Sequence, residues 1–161
     1  MEARVKLLGH PVHQMLIVLP LGLLSGAVIF DVLRLLTGGG HFALVAYWLI
    51  PAGVASGLLA AVFGFLDWTK IPDGTRAKRV GMLHARANVT VLALFTASWL
   101  LRRDAVVDPG TLPVVLSLAG GGLAMLAGWL GGELVGRHGV GVDDDADLNA
   151  PSSLSRRPPA S

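Results

Sequence analysis

The residues able to do chemistry in this chain are imidazoles and a few carboxylates. His10 and His13 stand three apart, so they share a helical face if one helix includes both. Pro11 between them suits a first helical turn, where its missing N–H costs nothing. His84 and Asn88 are four apart and share a face in the same way. Neutral imidazoles are the usual axial ligands of a b-type haem, and with carboxylates they also suit divalent transition metals. His13, His84 and His10 are therefore the candidate cofactor ligands. His10, His13, His84, Asp67 and Glu133 form the candidate metal set. Asp67, directly before Trp68, is of the type that accepts from a ligating imidazole's other N–H and so orients it. Asp31, Trp68, Arg86 and Asn88 complete the supporting polar groups.

Other chemistries are excluded by what is missing. The chain has no cysteine, so disulfides, thiolate metal sites and cysteine nucleophiles are ruled out. There is no Gly-x-Ser-x-Gly elbow, and Ser25, Ser56 and Ser98 lie in apolar runs without a nearby base. Gly38–Gly40 and Gly120–Gly122 lack the lysine of a phosphate-binding loop. Net charge is only +2, without the basic face and interleaved aromatics of a nucleic-acid binder.

The elements that must position these residues are membrane spans. Of 161 residues, 53% are apolar and 15% charged, against roughly 25% charged in soluble domains; mean hydropathy is +0.63. Apolar runs of about 20 residues cross a bilayer, and there are four: Val12–Phe30, Phe42–Leu66, His84–Leu101 and Leu112–Val135. This predicts an all-α integral membrane four-helix bundle over residues 1–142, both termini on one side. A polar tail over 143–161 has too little hydrophobicity to fold. Pro20 predicts a kink in the first span. Asp67–Leu83 reads as a charged loop, and Arg102–Thr111 as a second connection. No repeat of the kind that builds soluble solenoids is apparent. Gly53, Gly57 and Ala61, and Gly120, Ala124, Gly128 and Gly132, form small-residue stripes. Such stripes let helices pack closely within a bundle, or between copies in a homo-oligomer.

Topology then gathers the chemistry. His10, His13, Asp67, Trp68, His84, Arg86, Asn88 and Glu133 all fall at one membrane face, each within about a turn of the interface. Asp31, Arg34 and His41 fall at the other. Arg86 and Glu133 are the only charged residues inside the spans. Arg4, Lys6, Lys70, Arg76, Lys78, Arg79 and Arg137 flank the histidine face, against Arg34, Arg102 and Arg103 opposite. The positive-inside rule puts both termini in the cytoplasm of a bacterial inner-membrane protein. A plainer reading competes: interfacial histidines as tolerated polar residues, Arg86 snorkelling, Glu133 paired with Arg137, and the tryptophans as an interfacial belt.

The opening His10-Pro11-Val12-His13, with Leu19-Pro20-Leu21-Gly22, resembles a bacterial family of predicted four-span membrane proteins catalogued as a domain of unknown function. Gly64-Phe65-Leu66-Asp67-Trp68, His84 with Asn88, Gly128-Trp129-Leu130-Gly131-Gly132-Glu133 and Gly139-Val140-Gly141-Val142 extend the resemblance across residues 9–142. Gln14 stands where the family tends to have a second proline. Some relatives are joined to Rieske-type domains, which by analogy implies membrane redox chemistry. Two function classes follow: a haem or metal protein of membrane redox processes, with a redox protein or other membrane subunit as partner, or an accessory subunit without its own cofactor. The charge distribution makes a direct prediction. A cysteine introduced at Gly74 will be shielded from membrane-impermeant maleimide in intact spheroplasts, and one at Asp104 will react; the reverse pattern would invert the topology.

Overall fold

The computed structural model describes residues 1–155; the last six residues of the tail lie outside that range. Two short strands, β1 (Lys6–Leu7) and β2 (His10–Pro11), form an antiparallel hairpin. Leu8 and Gly9 make its two-residue turn, both with positive φ (52° and 86°), as a tight twisted hairpin requires. The helices follow: α1 (Val12–Leu16), α2 (Val18–Thr37), α3 (Gly40–Lys70), α4 (Arg76–Leu101) and α5 (Thr111–Gly136). With α1 and α2 as one span, four are long and apolar enough to cross a membrane. The break at Ile17 is the predicted Pro20 effect, because Pro20 has no N–H to offer the carbonyl of Leu16. Pro51 is absorbed within α3 without a break.

The helices outrun the apolar segments at their charged ends. Asp31 and Arg34 lie in α2, and Asp67 and Lys70 in α3. The long charged loop expected over Asp67–Leu83 is only Ile71–Thr75. Thr75 caps α4, its hydroxyl accepting from the Lys78 N–H at 3.1 Å. Lys78 then reaches back to the carbonyls of Trp68 and Ile71, with its ammonium 4.0 Å from the centre of the Trp68 ring. The chain before α1 packs at this same end. Arg4 N–H donates to Asp67, Lys6 pairs with Asp143 and Glu2, and Gly141 N–H donates to the Met1 carbonyl. The hydrogen bond to Asp143 holds the Lys6 ammonium above its ordinary value of 10.5.

The four spans form a ring in which α2 and α4 each contact both α3 and α5. Its core is Leu24, Ala27, Ala46, Ile50, Val91 and Phe95. The ring is internally duplicated. A shift of 71 residues carries His13 to His84, and takes buried Leu24, Ala27 and Asp31 onto buried Phe95, Ser98 and Arg102. A shift of 67 residues carries buried Ala46, Ile50, Gly53, Ala60 and Asp67 onto buried Pro113, Ser117, Gly120, Ala127 and Leu134. The contacts repeat as well: Leu24 lies against Gly53, and Phe95 against Gly120. The α1–α3 and α4–α5 units are thus equivalent halves, exchanged by an approximate two-fold axis along the bundle.

The small-residue stripe of α5 does not run along this interface as its spacing predicts. A four-residue step advances about 40° beyond a full turn, so the stripe winds off the buried face. Gly120 packs on Phe95, whereas Gly128 and Gly132 have nothing within 4 Å of a Cβ position. A Cβ on Gly53 would lie 2.5 Å from Leu24, and one on Gly120 2.9 Å from Phe95. Gly53→Val and Gly120→Val should each cost about 1–3 kcal/mol through overpacking. Gly128→Ala should be neutral or slightly stabilising in the same detergent unfolding assay.

Candidate cofactor site

The two halves deliver one imidazole each to the same end of the bundle. His13 packs on Gly64 and its Nδ1 is 2.9 Å from the carbonyl oxygen of Ala60 on α3. His84 packs on Gly131 and its Nδ1 is 2.9 Å from the carbonyl oxygen of Ala127 on α5. A carbonyl only accepts, so each Nδ1 carries the proton and each Nε2 keeps a lone pair. The Asn88 amide nitrogen lies 3.2 Å from His84 Nε2, a donor matched to that lone pair, and also donates to the His84 carbonyl at 2.9 Å. The glycines let this happen: a Cβ on Gly64 would be 2.7 Å from the His13 ring, and one on Gly131 3.1 Å from the His84 ring.

Both rings lie well inside the length of the helices they meet. Charged Arg76–Arg79 continue α4 instead of ending it, so His84 is more than two turns from the helix start. His13 opens α1, yet it meets Ala60, ten residues or about 15 Å before the end of α3.

The other candidates are elsewhere. His10 belongs to β2, and Pro11 is the extended N-cap (φ −61°, ψ 120°), so His10 and His13 do not share a helical face. His10 is exposed, its Nε2 3.3 Å from the Ser153 hydroxyl. Asp67 accepts from the Arg4 backbone at 2.6 Å. Trp68 donates to the Lys78 carbonyl at 3.2 Å. Glu133 is 3.8 Å from Arg137, the ordinary helix-end pair. Arg86 is exposed on α4. Among the described residues no three His, Asp or Glu side chains converge as a metal cluster.

At the far end of the bundle is a site that sequence reasoning missed. Arg102, expected as an exposed loop charge, is the C-cap of α4 and fully buried. Its Nη1 and Nη2 donate to the two oxygens of Asp31, each at 2.6 Å, and Asp31 is also fully buried. Ser117 donates to Asp31 as well. Arg102 further meets Ser98 Oγ at 3.2 Å from Nε and the Pro113 carbonyl at 3.3 Å. The available signal was the spacing: Asp31 follows His13 by the same interval as Arg102 follows His84.

Four apolar helices around buried polar pairs define a multi-span membrane protein. The chain belongs to the family described as "Predicted membrane protein (DUF2231)", whose model matches residues 9–144. No curated protein and no solved structure matches it. The buried pair sets a stability expectation. Asp31→Asn leaves a buried guanidinium unpaired and should cost about 3–5 kcal/mol in detergent unfolding, whereas Asp31→Asn with Arg102→Met should recover most of that loss.

Proposed function

We propose that the protein is a cofactor-binding subunit of membrane redox processes in the bacterial inner membrane. In this reading His13 and His84 would hold a b-type haem. The observation that carries it is the matched placement of the two rings: each Nδ1 faces a helix carbonyl, so both Nε2 lone pairs face away from it, the His84 one held by the Asn88 amide until a metal centre would take its place. Ligand number separates the cofactors. A zinc or iron ion held by protein alone needs three or four donors; a haem brings four nitrogens and asks for one or two imidazoles. Two imidazoles without a third converging ligand among the described residues fit the haem better than a protein-held ion.

When bound, the haem would supply one-electron chemistry. The chain's part is to hold the imidazoles, fix their tautomers through Ala60 and Ala127, and surround them with apolar helix. The positive-inside bias puts this end of the bundle, with residues 1–11 and 71–75, at the cytoplasmic face, where a redox protein or another membrane subunit would exchange electrons.

The test is the absorption spectrum of protein purified in detergent from haem-supplied cells. A Soret band is expected, lost or shifted in both His13→Ala and His84→Ala, and unchanged in His10→Ala and Glu133→Gln. A spectrum without a Soret band after supplementation overturns the reading; a stable partner subunit recovered with that colourless protein would favour an accessory role.

A further inference from the structure

The geometry points to Asp31 and Arg102 as positioning residues that hold His13 and His84 in register from the opposite end of the bundle. The inference rests on the reading of the histidines as paired ligands. Eighteen residues separate His13 from Asp31, and eighteen separate His84 from Arg102. At about 100° per residue this is five full turns, so histidine and charge share one face of each helix, about 27 Å apart. Ile17 between α1 and α2 keeps right-handed helical geometry (φ −61°, ψ −19°), which preserves that phase. The 71-residue relation maps the first face onto the second, and the Asp31–Arg102 pair brings the two faces together at its end of the bundle.

Between the two pairs, Leu24 and Ala27 of α2 and Val91 and Phe95 of α4 belong to one apolar core with Ala46 and Ile50 of α3. Apolar contacts of this kind give a membrane bundle little preference for one register, because lipid tails would pack comparably. The bidentate ion pair does discriminate. Sliding α4 by one residue turns it about 100° and shifts it 1.5 Å. That step takes Arg102 away from both Asp31 oxygens and swings His84 away from His13 together. Leaving either charge unpaired among buried atoms is costly, and setting register is the best-attested use of such groups.

Since the chain lacks cysteine, nitroxide labels can be placed specifically at Met15→Cys and Arg86→Cys. These exposed positions are related by the same 71-residue shift and flank the histidine end. Pulsed electron spin resonance on the full chain should give one narrow distance distribution. It should stay narrow in Asp31→Glu and broaden or shift in Asp31→Asn, with helix content by circular dichroism unchanged. Asp31→Asn with Arg102→Met carries no unpaired charge, so it tests the same point even if the single variant fails to fold; it too should broaden. Haem titration of this double variant should show binding on the order of tenfold weaker. A parent-like distance distribution in the double variant overturns the positioning role, whatever the haem result. Broadened distances in a protein that shows no Soret band in any form uphold it and overturn the haem reading alone.

Discussion

The structure depends on one ion pair in a place where ions are expensive. Asp31 and Arg102 are wholly buried, at the junction of α2, α4 and α5. Charges so placed are tolerable only when paired and hydrogen-bonded, and both conditions are met. The guanidinium fork meets both carboxylate oxygens, and Ser98, Ser117 and the Pro113 carbonyl take up further capacity. The surrounding contacts are mostly between small and apolar groups, which supply close packing but little orientation. The pair is therefore the principal source of directional preference between the halves.

The duplication explains why the pair takes this form. Equivalent positions in two like halves meet near their common axis, so identical residues there would face one another. Two histidines can do this without penalty, because neutral imidazoles do not repel. Two aspartates or two arginines at the other end would be buried like charges. The halves differ at that point: aspartate stands in one and arginine in the other. Their surroundings have diverged to match. Ser98 and Ser117 line the arginine's side, where the equivalent positions in the first half are Ala27 and Ile50. The two halves thus carry like residues, His13 and His84, at one end and an unlike, joined pair, Asp31 and Arg102, at the other.

The four spans were legible because hydropathy over about 20 residues is a strong signal in a chain this apolar. Helix ends were less so. Arg76–Arg79 and Asp67–Lys70 look like loop, but long cationic side chains can remain helical and fold back onto carbonyls and aromatic rings, as Lys78 does. His13 and His84 were legible as candidates by type; their distance from the helix ends was not, since it follows from those helix extensions. His10 was misread because the Leu8–Gly9 turn makes a hairpin where a helix start was expected. The duplication keeps residue identity at only a few positions, among them His13 and His84, Gly53 and Gly120, Ala60 and Ala127, and Gly64 and Gly131. What repeats is burial and contact: leucine matches phenylalanine, alanine matches serine, aspartate matches arginine. A pattern of that kind emerges only when the partner of each residue is known.

Depth also decides how the two ends of the bundle differ in purpose. The Asp31 end is saturated: the carboxylate and the guanidinium are satisfied by protein, and nothing is left over to bind a ligand. The histidine end is not. Each ring has one nitrogen fixed by a helix carbonyl and one with a lone pair, held there by helix contacts that need glycine to exist at all. His84 uses both of its nitrogens, the second toward the Asn88 amide, whereas a merely tolerated histidine would turn toward water. Two glycine contacts and two backbone carbonyls fix the same ring orientation twice, on equivalent helices of the two halves, and that repeated orientation is what the proposed ligand role draws on.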